Sequence, residues 1–154
     1  YPDDVYDRIW SSYYYLEDKK HINTTLTVNN SNSFELPQVV LKTAFMPINA
    51  KMPLDYDVFE GNSNKVYVYL HFAEIQALLP NDTREFDILL DENLIAAAYS
   101  PKMLQIETIY NISPMQGSEL KLVKTKRSTL PPVLNAIEIF GVMEFQYSET
   151  NPND

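Results

Sequence analysis

In the stretch 65–75, KVYVYLHFAEI, apolar or aromatic side chains fill nearly every position. Val66, Tyr67, Val68, Tyr69 and Phe72 are types that suit a pleated, buried surface, so the pattern predicts a central strand covered on both faces. A polar break over 78–83 ends it. Beyond the break Phe86, Ile88 and Leu90 alternate with Glu85, Asp87 and Asp91, the period of two expected of a strand with one face in a core and one in water. Two strands of these kinds predict a sandwich.

The rest of the chain supplies the other layers. Residues 1–8, YPDDVYDR, open on a Pro-Asp turn signal and read as an extended connection. Trp10, the single tryptophan, reads as a buried anchor rather than an exposed ring for sugar stacking. Tyr13, Tyr14 and Tyr15 are consecutive and cannot all face one way, which makes them ligand-contact candidates against the plainer reading of a half-buried edge. Strands are predicted at 24–28, 54–59, 93–99, 103–110 and 118–125. The segment 36–44 is open between a buried strand and a helical turn begun by Pro37, with the turn preferred. Pro131 and Pro132 stop the chain before a long strand at 133–145, in which Gly141 is the expected bulge. Seven to nine strands and no long helix predict an all-β antiparallel sandwich with at most one or two short helical turns. With only three glycines, Asn, Asp and Pro must make most of the turns.

Composition narrows the function. A chain of 154 residues suits one domain with a real core. It begins with Tyr, has no leader-like segment and no run of about 18 apolar residues, so a piece of a longer protein is expected, one that does not itself span a membrane. The net charge of −9 argues against nucleic acid, because the only basic cluster, KLVKTKR at 121–127, alternates with apolar residues and reads as the solvated face of a strand. Absence of cysteine removes disulfides, thiol catalysis and the common zinc sites. Four sequons, at Asn23, Asn29, Asn81 and Asn111, are N-glycosylation candidates and point to a secreted or luminal chain; Pro114 follows the last of them.

Catalytic chemistry finds little support. His71 and Glu74 would share a helix face, but on a strand their spacing turns them to opposite faces, so a packed or hydrogen-bonded histidine is expected. Glu85 and Asp87 have the spacing of a glycosidase pair, yet the alternation aims both at water, where neither carboxyl is raised in pKa. Asp3, Asp4 and Asp7, or Asp55 and Asp57, carry the oxygen ligands calcium prefers, a weaker reading than simple surface acidity. No nucleophile elbow, P-loop or dinucleotide glycine pattern is present. No catalytic residue, metal ligand set or cofactor is expected.

Ten short motifs, in order along the chain, are more specific than any of these signals. They are YPDDVYDRIW at 1–10, INTT at 22–25, FELP at 34–37 with Val39, TA at 43–44, PINA at 47–50, HFAEI at 71–75, NDTREF at 81–86, STLPP at 128–132, LNAIEI at 134–139 and SETN at 148–151. Together they resemble the malectin-like extracellular domain of plant leucine-rich-repeat receptor-like kinases. The resemblance departs from the family in lacking a cysteine near GSELKL and in the glycine of the 140–142 stretch. It implies a tandem of two β-sandwich lobes, followed by leucine-rich repeats, a single membrane span and a cytoplasmic kinase. This chain resembles the second lobe, with 1–8 as the inter-lobe connection, 9–147 as the lobe and 148–154 as the exit toward the repeats. The implied function is a non-catalytic ectodomain module on the extracellular side of the plasma membrane. Its implied partners are the preceding lobe and following repeats, with a peptide, a protein co-receptor or a cell-wall glycan as ligand. A carbohydrate-binding lectin module, suggested by kinship with animal malectin, is the alternative.

Overall fold

The computed structural model describes residues 3–12, 17–58 and 65–143. Two antiparallel sheets face each other. One runs β10-β4-β7, from β4 (Lys65–Phe72), β7 (Glu107–Tyr110) and β10 (Ala136–Gly141), with the two-residue β8 (Met115–Gln116) also on β4. The other runs β3-β9-β5-β6, from β3 (Leu54–Asp57), β5 (Phe86–Leu90), β6 (Asn93–Tyr99) and β9 (Glu119–Lys124). A separate pair, β1 (Lys19–Asn23) with β2 (Thr43–Pro47), brackets one helical turn, α1 (Gln38–Leu41). The sandwich and its short helical turn are as the sequence predicts.

The alternation in β4 and β5 builds the core. Val66, Val68, Leu70 and Phe72 meet Phe86, Ile88 and Leu90 across the gap, with Leu54, Leu120 and Leu122 filling between them. Phe72 is fully buried, and its ring lies 5.6 Å from Phe86 and 5.0 Å from Tyr99. A second apolar cluster forms at one end, where α1, Val28, Ile106 and Val133 pack with the half-buried Trp10 and Phe34. Gly117 is required by close approach: a Cβ there would lie 2.4 Å from Leu90 Cγ, which the buried Leu90 has no room to avoid.

Several expectations change. The stretch 24–28 is not a strand; the β-structure lies earlier, in β1, where the backbone pairs antiparallel with β2. In 36–44 the helical turn is the reading that holds, since Pro37 precedes α1 and Val39, Val40 and Leu41 lie in it, while β2 begins only at Thr43. Strand structure in 103–110 is confined to β7, preceded by single bridges from Met103 to Glu74 and from Gln105 to Asn29. Gly141 makes no bulge, because β10 pairs with β4 in unbroken register from Ala136–His71 to Gly141–Val66. Finally, β4 is buried along its whole length on one face only; on the other, Tyr67 and Tyr69 are partly exposed and His71 is buried.

Candidate functional site

The outer face of the β10-β4-β7 sheet is where chemistry collects. Register places His71 beside Thr108 and Ala136, Tyr69 beside Tyr110 and Glu138, and Tyr67 beside Phe140. The leading segment crosses this face as a strap. Its local fold is built by Asp4, whose Oδ1 accepts from the Tyr6 and Arg8 backbone N–H groups and whose C=O accepts from Asp7 N. The resulting turn places Asp7 at φ 55°, a conformation Asp tolerates.

Arg8 fastens the strap down. Its Nε donates to both Asp4 carboxylate oxygens, at 3.2 and 3.0 Å, Nη1 to Glu138 Oε1 at 3.0 Å and Nη2 to the Phe34 carbonyl at 2.7 Å. The guanidinium carbon also sits 5.1 Å from the Tyr6 ring centre and 5.0 Å from that of Trp10, within cation–π range. Trp10 Nε1 donates to Asp4 Oδ2 at 2.7 Å. Burial pushes the Asp4 carboxyl up, but the hydrogen bonds from Trp10, Tyr6 and Arg8 outweigh it and hold the group at about 2.

The fully buried His71 completes the network. Its Nε2 is 3.0 Å from Glu138 Oε1 and its Nδ1 is 2.9 Å from Thr108 Oγ1, which also lies 3.0 Å from the Asn32 Nδ2 donor. Bond counting assigns the tautomer. A carboxylate can only accept, so opposite Glu138 Nε2 carries the proton, Nδ1 accepts from the Thr108 hydroxyl, and that hydroxyl accepts from Asn32. Burial lowers the His71 pKa and the Arg8 charge adds to that, against an opposing pull from Glu138. The net direction favours the neutral ring.

Aromatic rings occupy the rest of the face. Tyr69 and Tyr110 stack at 5.4 Å with 16° between planes, Phe140 meets Tyr69 edge-on at 5.7 Å, and Phe34 packs on Tyr69, His71 and Tyr110. Strap and Phe34 cover the His71 end. The other end is open: Tyr110 is 47% and Phe140 52% exposed.

The candidates read from sequence fall into three groups. Tyr13, Tyr14 and Tyr15 lie outside the described residues. Asn23, Asn29 and Asn81 are exposed. Asn111 is buried, with Oδ1 accepting from Val68 N and Nδ2 donating to the Val66 and Ser113 carbonyls; that amide has a structural task and no room for a glycan. Among the acidic pairs, Glu74 is buried against Arg84, whose Nε is 2.6 Å from its Oε2, and Glu85 bonds Thr125 and Arg127. Hydrogen bonds from Thr125 and Arg127 lower the Glu85 pKa against some desolvation, the reverse of what a general acid needs. Within the basic cluster, Lys121 pairs with Glu119 and Arg127 with Glu85. Asp4 is fully engaged within the strap, and among the described residues no three metal-ligating side chains are grouped. Sequence reasoning missed Arg8, Glu138, Thr108 and Phe34. The one available signal was the alternation of Tyr67, Tyr69 and His71, which puts three ring-bearing side chains on one face of β4.

The described residues thus form a β-sandwich in which a strap and a set of aromatic rings share one sheet face. The chain belongs to the malectin-like domain family, whose model matches residues 1–142. It is 53% identical over 159 residues to the probable LRR receptor-like serine/threonine-protein kinase At2g28960 of Arabidopsis thaliana, and 46% identical over 159 residues to the probable LRR receptor-like serine/threonine-protein kinase PAM74 of the same plant. Each match takes in 100% of this chain and 18% of the relative's length. Among solved structures, the extracellular domain of Arabidopsis ANXUR1 superposes with a TM-score of 0.61 at 20% identity, covering 80% of this chain and 38% of that one. A chain in the complex of plant peptide RALF23 with FER and LLG2 gives 0.59 at 18% identity, covering 97% and 40%. These likenesses show the fold.

Proposed function

We propose that this chain is a non-catalytic extracellular module of a plant receptor-like serine/threonine kinase that contributes to ligand or partner recognition in signalling. The observation that carries the reading is the match along the whole chain to LRR receptor-like kinases, at 53% identity in the first case. In this reading residues 1–8 join the module to a preceding lobe, 9–147 form the lobe, and 148–154 lead toward leucine-rich repeats. A membrane span and a kinase domain belong to other parts of the parent chain, which puts this module on the outer side of the plasma membrane. No helix among the described residues is long and apolar enough to cross a membrane.

The recognition surface is the open aromatic half of the sheet face, shared with a neighbouring module or a protein partner. Support comes from the exposure of Tyr110 and Phe140 beside rings the strap already covers, since contiguous exposed apolar surface marks interaction sites. The complex of RALF23 with FER and LLG2 makes a peptide or co-receptor the partner class to try first. Hydrogen exchange in the complete ectodomain against the 154-residue chain tests this: β7 and β10 amides gain protection in the ectodomain, and equal exchange in both would remove the assignment.

The stacked Tyr69–Tyr110 pair also keeps the lectin reading in play, because flat rings stack on sugars. Calorimetry with maltose, nigerose and cell-wall oligosaccharides separates the two. Affinities weaker than about 100 μM, roughly 5.5 kcal/mol of binding free energy, are expected. Tighter binding that disappears in Tyr110→Ala or Tyr14→Ala would establish the lectin instead.

A further inference from the structure

We propose that the strap, residues 3–10, is a proton-operated latch: protonation of His71 releases it from the sheet face and uncovers the His71 end of that face. One oxygen couples the strap to the ring. Glu138 Oε1 lies 3.0 Å from Arg8 Nη1 and 3.0 Å from His71 Nε2. While the ring is neutral, Arg8 is the only full positive charge on that oxygen among the contacts described, and the strap is held by a charge-assisted bond between segments 130 residues apart. A proton added at Nδ1 makes the imidazolium a second cation on the same carboxylate. Glu138 is then neutralised from within the sheet, and Arg8 meets a like charge across a shared oxygen.

The other contacts of His71 push the same way. A proton on Nδ1 takes away the acceptor of the Thr108 hydroxyl, which must turn its hydrogen elsewhere while its oxygen accepts from the ring as well as from Asn32. Around the ring stand Trp10, edge-on at 6.3 Å, and Phe34 at 5.6 Å, neither of which stabilises a buried cation by hydrogen bonding. The charged groups facing the site from every packed element are Arg8 and, behind it, Asp4 from the strap, and Glu138 from β10. Thr108 on β7, Phe34 and Asn32 on the loop, and Tyr69 on β4 are neutral.

Lifting the strap resolves the conflict. Solvent reaches the imidazolium, Glu138 keeps it as partner, and Arg8 leaves with Asp4, the carboxylate bonded to both its backbone and its side chain. Thermodynamic linkage requires that a group harder to protonate in the latched state favours the unlatched state as pH falls. No bond in the two sheets' ladders has to break.

Trp10 is the single tryptophan and His71 one of two histidines, so both partners can be followed in the intact chain. Between about pH 7.5 and 5, spanning the histidine range, Trp10 emission is expected to shift to the red and become more accessible to acrylamide, reversibly, with the far-ultraviolet dichroism of the sheets unchanged. His71 ring protons followed by NMR should titrate with the same midpoint as Trp10. His71→Gln, which keeps a neutral side chain with donor and acceptor, should hold Trp10 in the high-pH state throughout. The proposal is overturned if Trp10 does not respond while the sheets remain folded, if His71 titrates without Trp10 following, or if His71→Gln retains the transition. Should His71→Gln misfold, the matched or mismatched midpoints in the unaltered chain decide alone.

Discussion

Asn111 follows the last residue of β7, and its amide takes over from the ladder. Oδ1 accepts from Val68 N at 2.6 Å, while Nδ2 reaches the Val66 carbonyl at 2.9 Å and the Ser113 carbonyl at 2.7 Å. Asn135 does the same at the other end of β4, accepting from Ala73 N and donating to the Leu41 and Thr43 carbonyls. Asn111→Ala strands buried backbone groups that each cost roughly 1 to 3 kcal/mol unpaired, so a lower urea midpoint is expected, whereas Asn81→Gln at an exposed turn should leave it unchanged. Mass analysis of protein secreted from plant or insect cells should find glycan on the Asn81 peptide and none on the Asn111 peptide. Glycan at Asn111 in folded material would refute the buried placement. Core and surface separate in the same way: Phe72→Ala should cost about 3 to 5 kcal/mol, while Glu85→Ala, at a partly exposed site, should cost far less. Urea melts that ranked them in reverse would invert the two faces of the central strands.

Elements are held to one another by polar side chains drawn from the recognisable motifs. Arg84 of NDTREF binds Glu74 and Gln76 and donates to the Pro131 carbonyl. Thr83 and Ser128 tie the same loop to STLPP through Arg127, Thr129 and Leu130. Asp91, at φ 49°, accepts from the Ser118 and Glu119 N–H groups, which lower its pKa. These motifs are therefore locks of the scaffold, and the open face is built from other residues. The strap is the element with a pH signature. His71 has a lowered folded pKa, so the unfolded chain binds its proton first, and the stability it contributes above about pH 6.5 is lost as pH falls toward the folded value. Asp4, held at about 2, contributes stability that is present above about pH 4 and lost as pH drops through 2. Unfolding midpoints measured from about pH 7.5 downward should thus fall in two steps; His71→Gln should abolish the upper and Asp4→Asn should shrink the lower, which Glu85 and Asp91 share, and a single step in the unaltered chain would contradict the network.

For the molecule as a whole, the sandwich and the inner core were legible in the alternation of 65–72 and 86–90, because a period of two is a local property of a pleated strand with one wet face. The family was legible in ten motifs spread over the chain. Asn111 was legible as a sequon, but burial depends on which strands flank it, and that is a matter of pairing. Strand 65–75 looked covered on both faces since nothing in its own residues distinguishes a ring packed on a second sheet from one covered by a distant segment. The tertiary structure made that distinction. It laid residues 3–10 as a strap over one end of β4 and left the other open, and it brought Arg8 and His71 onto one oxygen of Glu138. Those placements follow from strand order and register, which join residues 130 apart, and no window of local sequence carries that information.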